Sequence, residues 1–288
     1  MIVEKNGLKY FVFENLTAAG VRHCFTTRVG GVSSGVYDSL NMGMSSGDCA
    51  DAVRENYRLV CHAVGFDIGG IVRTRQVHGV AVEATGLVRG QSQKAGTVPC
   101  QLGSGTVPRS WGLSPGAAPA VEADGLMTDE VGVVLVTYYA DCVPLLFFDV
   151  RLRVVANAHA GWRGVVQGMP ASAVDAMKRQ YGSNPADILV GIGPSISAEN
   201  FEVGAEVVEE FKKSLPFSDK TVYNSKIAKN KFHIDLWQVC RESLILTGIK
   251  PENIEIAGIC THANADLFYS HRRDGTPRGN MAAFIGVT

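Results

Sequence analysis

Apolar positions along this chain fall into two recurring patterns. Continuous apolar runs of strand length occupy residues 131–139, 143–148 and 152–158. They are rich in β-branched and aromatic residues, which predicts strands covered on both faces. Shorter runs predict strands over 71–76, 188–192, 254–260 and 282–287. Helical spacing predicts helices over 51–64, opened by Asp51 and stopped by Gly65, and over 205–213. A further helix is expected over 235–247, capped by Asp235 and closed by Gly248. Val165, Met169, Val174 and Met177 share one face of a helix over 165–180. Pro170 fits only its first turn, so the regular helix should begin near Gly168. The alternation predicts one α/β (α+β) domain over residues 1–288 with a mixed, largely buried sheet.

One stretch breaks the pattern. Residues 86–120 are dense in Gly, Ser, Gln and Pro and show no apolar period. They predict a long flexible insertion, either a lid or a disordered segment, with Trp111 as an anchor for its middle.

Composition narrows the function class. Apolar residues make up 46% and the formal net charge is −1. That is enough to fill a core and gives no electrostatic footprint for nucleic acid or an anionic membrane. No segment approaches the ~20 apolar residues of a membrane helix. The N-terminus lacks the basic and apolar blocks of a signal peptide, so a cytoplasmic location is expected. Seven scattered cysteines with no CxxC pair read as thiols, most of them buried.

Polar residues stand at the ends of the apolar runs. Asp141-Cys142 follows one strand, and His159 precedes Ala160-Gly161-Trp162-Arg163-Gly164 after another. His78-Gly79 follows a third. Strand ends are where α/β sheets place their sites. Asp141 inside an apolar run needs a partner to be buried. His78, Cys142 and His159 offer the imidazole and thiolate ligands that suit zinc or copper, and three ligands leave the open position of a catalytic site. The spacings match no local metal motif. Each residue also has an ordinary reading, as a turn histidine, an inert thiol and a core histidine. Two further clusters look fit for anions. One is Thr26-Thr27-Arg28 with Gly30, Gly31 and Ser33 to Gly35; the other is Ser270-His271-Arg272-Arg273-Asp274. In the second, Asp274 pairing one arginine is the plainer alternative.

Seven blocks then occur in order: TTRVGGVSSGVYDSLNMG from Thr26, QVHG from Gln76, EADGLMTD from Glu122, ADCVPLLFFD from Ala140, AHAGWRG from Ala158, GIGPSIS from Gly191 with FEVG from Phe201, and FYSHRRDG from Phe268. Together they resemble the YfiH-type family, also called laccase-domain, multicopper polyphenol oxidase-like or peptidoglycan editing proteins. The resemblance spans the chain apart from 86–120. It implies layered mixed β-sheets with flanking helices, and zinc held by His78, Cys142 and His159, with copper the weaker candidate. It also implies phosphorolysis of adenosine, inosine or methylthioadenosine to base and pentose 1-phosphate, and in some members deamination of adenosine. The partners are then a nucleoside and phosphate, with the chain a monomer or homodimer. Asp141 is the expected proton-handling carboxylate beside catalytic Cys142 and His159. Arg28, Arg163, Arg272 and Arg273 are the expected phosphate ligands. Two departures stand out: the length of the insertion, and Ala198-Glu199-Asn200 where many members have cysteines. Competing readings are a metal-free cysteine hydrolase with Cys142 and His159 acting on an amide such as a cell-wall precursor, and a copper phenol oxidase. A fourth is a protein that only binds nucleosides.

Overall fold

The computed structural model of the chain describes residues 1–86, 121–225 and 229–288; the expected insertion over 86–120 lies outside them but for Gly86. In chain order the first elements are β1 (Ile2–Lys5), β2 (Leu8–Phe11), α1 (Glu14–Ala18), β3 (Arg22–Thr26), α2 (Ala50–Val64), β4 (Ile71–Arg75), β5 (Val82–Ala84), β6 (Val121–Glu122), β7 (Gly125–Thr128) and β8 (Val134–Tyr139). Then come β9 (Val143–Asp149), β10 (Val154–Ala160), α3 (Trp162–Val166), α4 (Met169–Tyr181), β11 (Ile188–Ile192), β12 (Glu202–Gly204) and α5 (Ala205–Ser214). The last are β13 (Val222–Asn224), β14 (Lys231–Ile234), α6 (Leu236–Leu246), β15 (Ile254–Ile256), α7 (His271–Asp274) and β16 (Met281–Gly286).

Two mixed sheets carry the fold. One runs β1-β2-β3-β16-β8-β4-β6 and the other β15-β11-β9-β10-β7-β5, with a small sheet β12-β14-β13 beside them. Alternation along each central strand explains why its run is continuously apolar. Leu135, Ala283 and Ile285 of the first sheet and Leu146, Phe148 and Val155 of the second share one core, so the sheets pack face to face. Val134, Val136 and Phe284, pointing the other way, meet Val53, Tyr57 and Val60 of α2. Phe147, Ala156 and Val190 meet Met169, Val174 and Met177 of α4 and Val239 of α6. The result is four layers, helix, sheet, sheet, helix. One polar pin crosses between the sheets: buried Asn157 of β10 donates to the Ala283 carbonyl at 2.9 Å and accepts from Thr137 Oγ1 at 2.6 Å.

The differences from sequence expectation have local causes. The run over 131–139 starts late because Gly132 turns at φ +87° and Val131 is exposed. The run over 152–158 shifts to β10 because Arg153 turns at φ +56°. The helix over 165–180 is two helices broken at Gly168, φ +89°, with Pro170 in the first turn of α4 as its ring requires. Asp51 lies in the first turn of α2 and is not its cap, whereas Asp235 caps α6 by accepting from the Gln238 amide. The strand over 254–260 stops at Ile256, and only Cys260 makes a further bridge, to Ser195. The strands β1 to β3 and the small sheet carried too few apolar residues to stand out. Among the described residues no helix is long and apolar enough to cross a membrane.

Candidate metal centre

The chain changes sheets through Ala140, Asp141 and Cys142, since β8 belongs to one sheet and β9 to the other. His159 lies near the end of β10, which pairs with β9 such that His159 faces Pro144. His78 follows β4 of the first sheet. The seam between the sheets therefore gathers three residues from three distant places. Ligand atoms of His78, Cys142 and His159 all lie within 4.8 Å of one another. Tetrahedral zinc with bonds of about 2.0–2.3 Å needs ligand atoms separated by roughly 3–4 Å, so this donor set fits one ion after small side-chain rotations.

Asp124, which sequence reasoning missed, locks the arrangement. It is fully buried. Its carboxylate accepts from the amides of Val77 at 3.2 Å, His78 at 3.0 Å and Gly79 at 2.7 Å. It also accepts from His159 Nδ1 at 2.9 Å. That bond turns Nε2 of His159 toward the thiol, the carboxylate–histidine arrangement that supports metal ligands. Burial would raise the Asp124 carboxyl, but the hydrogen bonds from His159 and Gly79 hold it below its ordinary value. One carboxylate thus fixes two ligands, including His78 in its left-handed backbone at φ +61°. The signal was available: a lone carboxylate between Ala123 and Gly125 before a buried strand is as costly as Asp141.

The electrostatics suit a soft cation. Burial would raise the Cys142 thiol, yet the charge of His159 and hydrogen bonds from both histidines bring it down to about 6. Burial would lower His159, yet the Cys142 thiolate and Asp124 bring it up to about 9. The pair is a thiolate beside an imidazolium, ready to exchange its proton for a metal. Gly161 completes the cradle. A Cβ there would sit 2.9 Å from His78 Cδ2, 3.4 Å from Cys142 Sγ and 3.5 Å from His159 Cε1. Gln76 clamps the His78 loop to β8, its side-chain amide donating to Tyr138 O at 3.0 Å and accepting from Tyr138 N at 2.8 Å.

Asp141 has found its partners away from the trio. Its carboxylate accepts from Thr261 Oγ1 at 2.7 Å, Ser270 Oγ at 2.9 Å and the Arg272 amide at 2.7 Å. It anchors the 270s segment next to Cys142 and holds its own φ at +86°. The carboxylate in contact with His78 and His159 is that of Asp124.

Of the four candidate arginines, three gather around the same segment. Arg28 lies 4.7 Å over the Tyr269 ring and donates to the carbonyls of Asp38 and Ala265. Arg272 donates to the carbonyls of Glu202 and Asn200. Arg273 spends its donors inside the protein, on Asp274 and the carbonyls of Thr261, His262 and Phe268. The pairing of Asp274 with an arginine, the plainer alternative, is present here. Arg163 of α3 is exposed and stacks 4.4 Å over Trp162.

The pattern describing the multi-copper polyphenol oxidoreductase laccase family matches residues 22–288. The chain is 34% identical over 263 residues to purine nucleoside phosphorylase YlmD of Bacillus subtilis, covering 91% of this chain and 87% of that protein. It is 34% identical over 272 residues to purine nucleoside phosphorylase YfiH of Escherichia coli, covering 92% and 93%. The crystal structures of Bacillus licheniformis hypothetical protein YfiH and Geobacillus stearothermophilus YlmD each superpose with a TM-score of 0.84. They share 30% and 31% identity with it and cover 100% and 99% of the chain, against 99% and 97% of their own. With its layered sheets and the His-Cys-His trio at their seam, the chain belongs to the YfiH/YlmD family of laccase-domain proteins.

Proposed function

We propose that this protein is a zinc-dependent purine nucleoside phosphorylase. It splits adenosine, inosine or methylthioadenosine with phosphate, and also deaminates adenosine. The observation that carries the reading is the clustered His78, Cys142 and His159, backed by Asp124, in a chain whose relatives bear the name purine nucleoside phosphorylase. In phosphorolysis a phosphate oxygen bonds to ribose C1′. The C1′–N9 bond breaks with its electron pair leaving on the purine, and the phosphate proton ends on the base. A zinc ion held by His78, Cys142 and His159 would supply Lewis acidity to the reaction. The protein holds the ligands, with Asp124 fixing the His159 tautomer and Gly161 keeping the space before them clear. Arg28 and Arg272, around the segment that Asp141 docks, and Arg163 on α3 remain the anion-binding candidates.

Incubation of the purified protein with adenosine and phosphate is expected to yield adenine and ribose 1-phosphate, with inosine where deamination competes. Product formation equal to that of a Cys142→Ala control would sink the reading.

One observation favours a second reading. A thiol lowered to about 6 beside an imidazolium is also the pair of a cysteine hydrolase acting on an amide. In chelator-treated protein the alkylation rate of Cys142 should be level above pH 7. It should fall about tenfold per unit below about pH 6, because protonation removes the thiolate. Amide hydrolysis surviving complete metal removal, and abolished by that alkylation, would select the hydrolase. A multicopper phenol oxidase has less support, because one thiol and two imidazoles hold a single ion and no trinuclear centre.

A further inference from the structure

The ladder between β8 and β16 points beyond its own end. Met281 pairs with Tyr139 in antiparallel register. Past that end the first strand continues into Asp141 and Cys142, and Arg278 precedes the second. Asp141, Cys142 and Asp274 all act on the Arg278 guanidinium by their charge, against a burial that lowers its proton affinity.

Arg278 is half-buried and incompletely used. Nη1 donates to Asn280 Oδ1 at 2.9 Å and at the limit of reach to the Gly279 carbonyl at 3.5 Å. Its Nε is buried and has no hydrogen-bond partner. A guanidinium donor buried without an acceptor is costly, so a missing acceptor belongs there. The side chain lines a cleft of about 430 Å³ with Ser45, Ser46, Thr276, Pro277 and Asn280. Ser46 Oγ donates to the Gly43 carbonyl at 2.8 Å, which leaves the hydroxyls of Ser45 and Thr276, an amide and the guanidinium as donors, with no carboxylate among the lining residues.

The walls are held in place. Fully buried Asn41 accepts from the amides of Gly43 and Asn280, both at 2.9 Å, and donates to Ser46 Oγ at 2.8 Å. The Met42 amide donates to the Asn280 carbonyl at 2.9 Å. Gly43 lies so close that a Cβ there would sit 2.4 Å from Asn280 Nδ2. The cleft is therefore built by two segments locked to each other, 41–46 and 276–280.

We propose that this cleft is the phosphate subsite of the enzyme, where inorganic phosphate is held by Arg278 and the hydroxyls of Ser45 and Thr276. The choice of inorganic phosphate rests on the phosphorolysis reading; the anion site itself rests on the cleft. Arg278 is then the residue that sets affinity for the second substrate, in a cleft that none of the four arginines named from sequence lines.

The test uses the full-length, metal-loaded protein. Binding of inorganic phosphate is measured by calorimetry, with and without adenosine, for wild type, Arg278→Gln, Arg278→Lys and Ser45→Ala; ribose 5-phosphate is the second probe. Metal content and melting temperature are checked for each. The expected result is phosphate affinity lowered about tenfold or more in Arg278→Gln, less in Arg278→Lys, and a few-fold in exposed Ser45→Ala, which puts no fold at risk. The KM for phosphate should rise in parallel, with the KM for adenosine within about twofold of wild type. Equal phosphate affinity in wild type and Arg278→Gln, or no phosphate binding by wild type in either condition, overturns the subsite. Ribose 5-phosphate binding tenfold tighter than phosphate overturns it as well, because the cleft would then read a phosphate carried by the substrate. Arg278-dependent phosphate binding without nucleoside cleavage supports the subsite and sinks the phosphorolysis reading instead.

Discussion

The seam between the two sheets and the rim of arginines outside it are built on opposite principles. At the seam both histidines are fixed twice. His159 lies on a buried strand and its Nδ1 is tied to Asp124, while His78 sits on a turn whose three successive amides bind the same carboxylate. At the rim the guanidinium groups differ from one another by how many donors the protein has already claimed. Arg273 has given them to Asp274 and three carbonyls, Arg28 and Arg272 have given some, and Arg278 keeps a buried Nε with none. The lesson is that residue type picks out a candidate metal ligand, whereas a candidate anion ligand is picked out by the donors the protein has not claimed.

Breaking the seam should give the largest effects. Asp124→Asn keeps the shape but removes the charge that orients and supports His159. Metal affinity should fall about 10–100-fold, the range found when such supporting carboxylates are changed. Nucleoside cleavage at limiting zinc should fall with it and recover as zinc is raised. Competition with a metal chelator measures the first and a zinc titration of activity the second. Unchanged zinc affinity in a folded Asp124→Asn protein would mean that the trio is organised without its carboxylate.

This contrast also explains what could be read in advance. The central strands were legible because both faces of β8, β9 and β10 are buried, so burial writes itself as an unbroken apolar run. The His-Cys-His trio that could hold a metal was legible because its members stand where those runs end. Strands β12 to β14 were not, because three or four residues with mixed burial leave no period. Asp141 was rightly singled out as needing a partner, but the sequence holds no record of which direction a carboxylate points from a left-handed turn. Arg278 sits between Pro277 and Gly279 with nothing around it in the sequence to mark it; only the fold brings it within reach of the Cys142 charge.

A smaller effect sharpens the comparison from inside the seam. Gly161 has φ −68°, so alanine is permitted by the backbone. The obstacle is the ring of His78, 2.9 Å from the new Cβ. His78 is the exposed member of the trio, so it is the ring that gives way. Gly161→Ala should lose about tenfold in metal affinity while its melting temperature stays close to wild type, because the strain is relieved by a surface side chain. Loss of folding with metal binding intact would show that Gly161 serves packing and has no part in the ligand cradle.

The smallest expected effect lies at the rim, and it separates a used arginine from an unused one. Arg273→Lys keeps the charge but not the fork that spans Asp274 and the carbonyls of Thr261, His262 and Phe268. Asp274 is held below the ordinary carboxylate range by Arg273 in spite of its partial burial, so the pair is stabilising as it stands. Losing part of a partly exposed network should cost roughly 1–2 kcal/mol of stability. Denaturant unfolding would measure it. The KM for phosphate should stay within about twofold, since none of those donors was available to an anion. A large rise in that KM without loss of stability would mean that Arg273 releases its internal partners when substrate arrives, and that the rim rearranges where the seam does not.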